Sequence, residues 1–115
     1  MEKISIDEFK KVEIRIGEIV SAEPVEGSEK LLKLKVNFGD EERQVVSGIA
    51  KYFPDPSGAV GKRCAFVTNL EPRMLMGLES QAMILATGGD PIVDGTGFEP
   101  LYLFESTAPV GSRAH

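Results

Sequence analysis

Hydrophobic and polar positions change period near the start of the chain. Ser5 stands where an N-cap belongs and Glu8 follows three residues later, a capping box, with Ile4 and Phe9 at the staple positions. Lys10 and Lys11 close this short helix, where cations suit the helix dipole. From Val12 the period becomes two: Val12, Ile14 and Ile16 alternate with Glu13 and Arg15. The inward parity slips after Gly17, because Ile19 is odd-numbered, and a glycine at a parity change predicts a bulge or sharp bend. The result is one long, curved strand, ended by Pro24, that can take part in two sheets.

LLKLKVNFGDEERQVVSGI then gives the clearest hairpin. Leu32, Leu34, Val36 and Phe38 point one way, Lys33, Lys35 and Asn37 the other, Gly39-Asp40 makes the turn, and Arg43 to Val46 returns. IAKYFPDPSGAVG is rich in Pro and Gly and predicts a helical turn and a loop, with Tyr52 and Phe53 packing the turn. KRCAFVTNL is a fourth strand, with Cys64 and Phe66 on its core side. QAMILATG is a fifth strand, apolar on both faces and therefore requiring cover on both. Turn signals at Gly88-Gly89-Asp90-Pro91 and Asp94-Gly95-Thr96-Gly97 frame extended pieces at Pro91–Asp94 and Phe98–Glu105, which could supply that cover within the chain or across a dimer. With no repeat and no linker, residues 1–115 form one domain. The fold class is all-β: a five-stranded oligonucleotide/oligosaccharide-binding (OB) barrel with a short N-terminal helix and a C-terminal extension. The alternation alone leaves a β-sandwich open.

PRMLMGLES, between strands four and five, reads as a bent connection, yet it carries Met74, Leu75 and Met76 beside Arg73. One apolar side chain is expected to plug the barrel end, and the others to meet a partner through flexible thioethers.

Composition narrows the function. The chain has 115 residues, 42% hydrophobic and 27% charged, with no apolar run long enough to span a bilayer and no visible secretory signal. Cys64 is the only cysteine, so a disulfide framework and a cysteine metal cluster within one chain are excluded, and a reducing cytoplasm is expected. His115 is the only histidine, and no nucleophile–base pair, phosphate-cradling loop or metal set is visible, so neither catalysis nor a cofactor is expected. Met1 favours a self-contained protein over a piece excised from a longer one. The net charge of −5 argues against a polyanion partner, but it is uneven: residues 30–73 hold eight basic side chains against five acidic ones.

The order VEGSEKLLKLKVNFG, RQVVSGI, NLEPR and GLESQAMIL resembles the tRNA-binding domain found in many methionyl-tRNA synthetases and in stand-alone tRNA-binding proteins, with weaker similarity at APVGSR. The resemblance implies an OB barrel and a non-catalytic module that recognises tRNA by shape, alone or as an accessory to the synthetase. It also implies homodimers that use the terminal segments. Carried onto matching positions, the binding surface comprises Lys30, Lys33, Arg43, Ser47, Asn69, Arg73 and Ser80. One departure stands out. The family's lysine–apolar–arginine–glycine after the Pro-Arg pair is Met74-Leu75-Met76-Gly77 here, so two expected cations are methionines. That departure and the acidic balance favour the rival reading, a dimeric chaperone-like or protein-interaction module on the same barrel. Read from the residues alone, the lysines also suit the wet face of a hairpin, Arg43 a surface ion pair, Asn69 a turn, and Ser47 either role.

Overall fold

The computed structural model describes all residues from Met1 to His115. Five strands, β1 (Ile14–Pro24), β2 (Leu32–Asn37), β3 (Glu42–Ser47), β4 (Arg63–Val67) and β7 (Met83–Ile84), form one curled antiparallel sheet. Their order is β3-β2-β1-β4-β7, an OB-like barrel. Two small hairpins are added, β5 (Arg73–Leu75) with β6 (Leu78–Ser80), and β8 (Ala86–Gly88) with β9 (Leu101–Leu103). No helix is long and apolar enough to cross a membrane.

β1 serves two partners, as its length and curvature predict. Its first half, Ile14 to Glu18, pairs with β4, and its second half, Glu18 to Pro24, pairs with β2. The bulge falls between Ile19 and Ser21 rather than at Gly17. Gly17 has a different reason to be glycine: a Cβ there would stand 2.5 Å from Val36 Cγ1 and 2.7 Å from Phe38 Cε1. The parity slip turns this backbone against the core, and a side chain has no room. Phe38 meets Phe66 edge-on at 5.4 Å in a core that also holds Ile19, Leu32, Leu34, Val36, Val45 and Cys64.

The connection from β3 to β4 contains two 3₁₀ turns, Ala50–Tyr52 and Pro56–Ala59, one more than the sequence suggests. Asp55 caps the second by accepting from the Ser57 N–H at 3.0 Å. The N-terminal helix α1 spans Ile6–Phe9, and Ser5 Oγ accepts from the Glu8 N–H at 3.1 Å as its capping pattern requires. None of its residues is buried; Ile6 is 66% exposed and Phe9 47%.

Two further expectations are corrected. QAMILATG is not a single strand: Met83–Ile84 stays with β4, while Ala86–Gly88 leaves to pair with β9. Ala82 and Ile84 face the core, but the outer face is left uncovered, with Met83 46% exposed. The C-terminal extension follows sheet edges instead. The Ala65 N–H donates to Phe104 O at 2.9 Å, and the Ile16 N–H to Ser112 O at 2.9 Å, so the tail continues the β4 edge and then the free edge of β1. PRMLMGLES is not a loop but the β5–β6 hairpin, turned on two residues. Met76 has φ 51° and Gly77 φ 79°, the positive pair that a tight hairpin twist demands.

Replacing Gly17 by Ala should lower stability by about 1–3 kcal/mol, the range for overpacking a tight core. Urea unfolding followed by circular dichroism measures it; an unchanged midpoint would mean that Val36 and Phe38 yield freely.

Candidate nucleic-acid interface

No strand pairs in a ladder with the outer edge of β3, although β6 lies against it, yet its backbone groups are satisfied. The Val46 N–H donates to Ser80 Oγ at 3.0 Å, and the Ser80 hydroxyl faces the carbonyls of Val46 at 3.3 Å and Ala82 at 3.2 Å. The Gln44 N–H donates to Gln81 Oε1 at 3.0 Å, and the Gln81 N–H to Gln44 O at 2.8 Å. This clasp closes the barrel between β3 and the segment leading into β7. It also fixes the β5–β6 hairpin against that edge. Ser80 is buried, and its hydroxyl is occupied within the chain.

Arg43 is likewise engaged inside. In the β2–β3 register it lies opposite Val36, on the inward side, whereas Lys33 lies opposite Val46 on the outward side. Its Nη1 donates to Thr68 O and to Gln81 O, the latter at 3.2 Å, and its Nε pairs with Glu41 Oε1 at 2.6 Å. Arg15 approaches from β1, pairing with Asp40 at 3.2 Å and Glu41 at 3.1 Å. The two guanidinium carbons stand 5.0 and 5.8 Å from the Phe38 ring centre, within cation–π range. Glu41 therefore joins two arginines at one end of the barrel, and Arg43 foremost holds its carboxyl below the usual range. Asn69 ties this end to the helix exit: its Oδ1 accepts from the Glu13 N–H at 2.8 Å and its amide donates to Lys11 O.

The remaining expected residues gather elsewhere. Lys30 is exposed in the β1–β2 loop. Lys33 stands on the outer face of β2, beside Lys35 and loosely paired with Glu23 at 3.7 Å. Arg73 is exposed at the start of β5. Ser47 and Arg73 line a cleft of about 290 Å³ between the β1–β2 loop, the end of β3 and the β5–β6 hairpin, walled by Leu31, Leu70, Glu71, Leu75 and Met83. The loop and the hairpin nearly touch, since the Met76 methyl lies 3.4 Å from where a Cβ on Gly27 would stand. Leu75 turns into this cleft, whereas Met74 and Met76 stay 66% and 60% exposed. The seven residues thus divide. Ser47 and Arg73 line the cleft, Lys30 is exposed next to its wall residue Leu31, and Lys33 lies in a separate groove with Glu23, Lys35 and Glu42, whereas Arg43, Asn69 and Ser80 are committed to contacts within the chain. The inward position of Arg43 was available in the sequence, since it shares parity with the core residue Val45. Leu70, Glu71 and Met83 were not singled out, because only the folded hairpin brings them to Ser47.

A barrel with basic side chains beside its β1–β2 loop and the hairpin that follows β4 presents the surface on which OB folds bind oligonucleotides. The family model described as "Putative tRNA binding domain" matches residues 14–113. The chain belongs to the tRNA-binding-domain family. Methionine–tRNA ligase of Methanococcus aeolicus is 45% identical over 112 residues, 97% of this chain and 16% of that protein. Methionine–tRNA ligase of Caldanaerobacter subterraneus is 53% identical over 83 residues, 72% of this chain and 13% of that one. The chain thus spans only a small part of these relatives. Among solved structures, a MetRS-related protein from Pyrococcus horikoshii matches over the full length of both chains, with a TM-score of 0.85 and 38% identity. The chaperone CsaA of Bacillus anthracis covers 99% of this chain and all of its own, with a TM-score of 0.80; at 22% identity it shares the fold.

Ser80→Ala should cost about 1–3 kcal/mol in urea unfolding, because it leaves the Val46 N–H buried without a partner. Full stability in this variant would show that the clasp is dispensable.

Proposed function

We propose that this chain is a non-catalytic module that recognises tRNA by shape, free-standing or as an accessory to methionyl-tRNA synthetase, in the cytoplasm. Family membership over residues 14–113 is the observation that carries the reading. The geometry supports it through Arg73 on the wall of the cleft and exposed Lys30 next to the wall residue Leu31, where the loops of an OB barrel meet their ligands; Lys33 lies apart, on the outer face of β2. Cys64, the only cysteine, is not poised as a nucleophile. Burial, aided by Glu105, pushes its thiol up to about 11, so it carries almost no thiolate at neutral pH.

Arg73 and the lysines act on phosphates, while Arg43, Asn69 and Ser80 shape the surface that presents them. Arg73→Ala should weaken tRNA binding across sequences and reduce the slope of log K against log salt by about one unit. Filter binding of tRNA across a salt series measures both. Affinity that is absent at low salt in the parent chain would favour the second reading, a chaperone-like protein-interaction module, for which the exposed Met74 and Met76 speak.

We also infer a homodimer. Ile4, Ile6, Phe9 and Val12 at one terminus and Val93, Phe98, Tyr102 and Phe104 in the C-terminal extension are exposed apolar side chains that a single copy leaves in water. Sedimentation should show a dimer at micromolar concentration, and Phe9→Asp should shift it toward monomer; a parent chain that sediments as a monomer would overturn the inference.

A further inference from the structure

The cleft beside Ser47 has a composition that phosphate neutralisation does not explain. Its floor is apolar and deeply buried: Val46, Ala82 and Ile84. Its walls are Leu70, Leu75 and Met83, none of which can neutralise a phosphate. Glu71 also lines it, exposed at the rim, and a carboxylate there repels phosphate while accepting readily from the N–H groups of a base. Arg73 is exposed on the wall, and Lys30 follows just before Leu31 on the loop opposite. From the rationale that binding here is to tRNA, which this inference takes from the proposal above, we infer that the cleft takes a single unstacked base of the RNA, with the flanking phosphates held outside by Arg73 and Lys30. The volume, about 290 Å³, is at the lower limit of small-ligand sites and suits one planar group rather than a peptide helix. RNA binders that read sequence commonly seize splayed bases on aromatic or guanidinium faces and read their edges by hydrogen bonds; here the faces are aliphatic, with Arg73 beside them. Ser47 and Glu71 supply those edge contacts.

The two methionines fit this division of labour. Met74 and Met76 stand exposed on the hairpin and offer no charge to a phosphate. Affinity drawn from a buried base needs none, and it carries no salt dependence.

Gly48 allows a direct test. A Cβ added there meets nothing within 4 Å, and its φ lies outside the left-handed region, so a side chain grows into open space beside the cleft without straining the backbone. Gly48→Leu should fill the cleft and weaken tRNA binding about tenfold, with the salt slope unchanged and the urea midpoint within error of the parent. Arg73→Ala, by contrast, lowers the slope. A tRNA carrying 2-aminopurine at an unpaired loop position provides the second readout: its fluorescence changes on binding to the parent and not on binding to the Gly48→Leu variant. Parent-like affinity of Gly48→Leu for tRNA, with salt-dependent binding intact in both, would overturn the base-capture inference and leave the tRNA reading standing. Absence of tRNA binding by the parent would overturn the tRNA reading and this inference with it.

Discussion

Backbone donors and acceptors along the outer edge of β3 have to be satisfied, and the fold depends on how this is done. A bare edge invites pairing with another chain, and a buried unpaired N–H costs free energy comparable to a lost hydrogen bond. Here a hydroxyl and a primary amide do what a sixth strand would do. Ser80 and Gln81 meet Val46 and Gln44 at the spacing of a β ladder. Closing the barrel with side chains leaves the chain free to turn out immediately before them. The β5–β6 hairpin stands upon that turn, and the cleft exists because the hairpin is held there. A complete strand at this position would have left no such pocket.

The opposite end of the barrel is closed electrostatically. Arg15 and Arg43 bracket Phe38, with Glu41 between them, and Arg43 continues to the carbonyls of Thr68 and Gln81. This makes Arg43 a link between the two closures, since Gln81 belongs to the clasp. The charge of the arginine is neutralised locally by Glu41, which is why it contributes little field outside the barrel. Because Glu41 lies in the same stretch, setting the pair aside leaves the excess of basic over acidic groups between Lys30 and Arg73 unchanged, but one fewer cation faces solvent.

The elements that depend on local pattern were legible in the sequence: the Ser5 cap, the β2–β3 hairpin, the curvature of β1 and the core side of Cys64 and Phe66. What escaped was tertiary. The alternation that placed Lys33 outward also places Arg43 inward, but a charged residue on a core parity is credible only once Thr68 and Glu41 are seen to receive it. Pro72 and Gly77 mark PRMLMGLES as a bent connection, and the three residues between Arg73 and Gly77 are too few to show the period of a strand. Positive φ at Met76, unfavourable for an ordinary side chain, is tolerated because the hairpin is pinned through Ser80. The fifth strand looked continuous because Met83, Leu85 and Ala86 are apolar. No local signal marks Leu85 as the point where pairing passes from β4 to β9.

A net charge of −5 and a tRNA partner are compatible only if distance sorts the charges. At physiological ionic strength the Debye length is about 8 Å, so carboxylates on the far side of a barrel of this size are nearly invisible to a phosphate at the cleft. Near the cleft, Lys30, Arg73 and Lys33 stand among Glu71, Glu23 and the loop carboxylates Glu26 and Glu29. That local balance is close to neutral, which limits what electrostatics can contribute. A surface of this kind gains affinity more cheaply by removing apolar side chains from water than by adding cations that its own carboxylates would pair. On the reading proposed above, the exposed Met74 and Met76 suit that balance: affinity would come less from the phosphates, which every RNA offers, than from a base, which only an RNA with the right loop exposes.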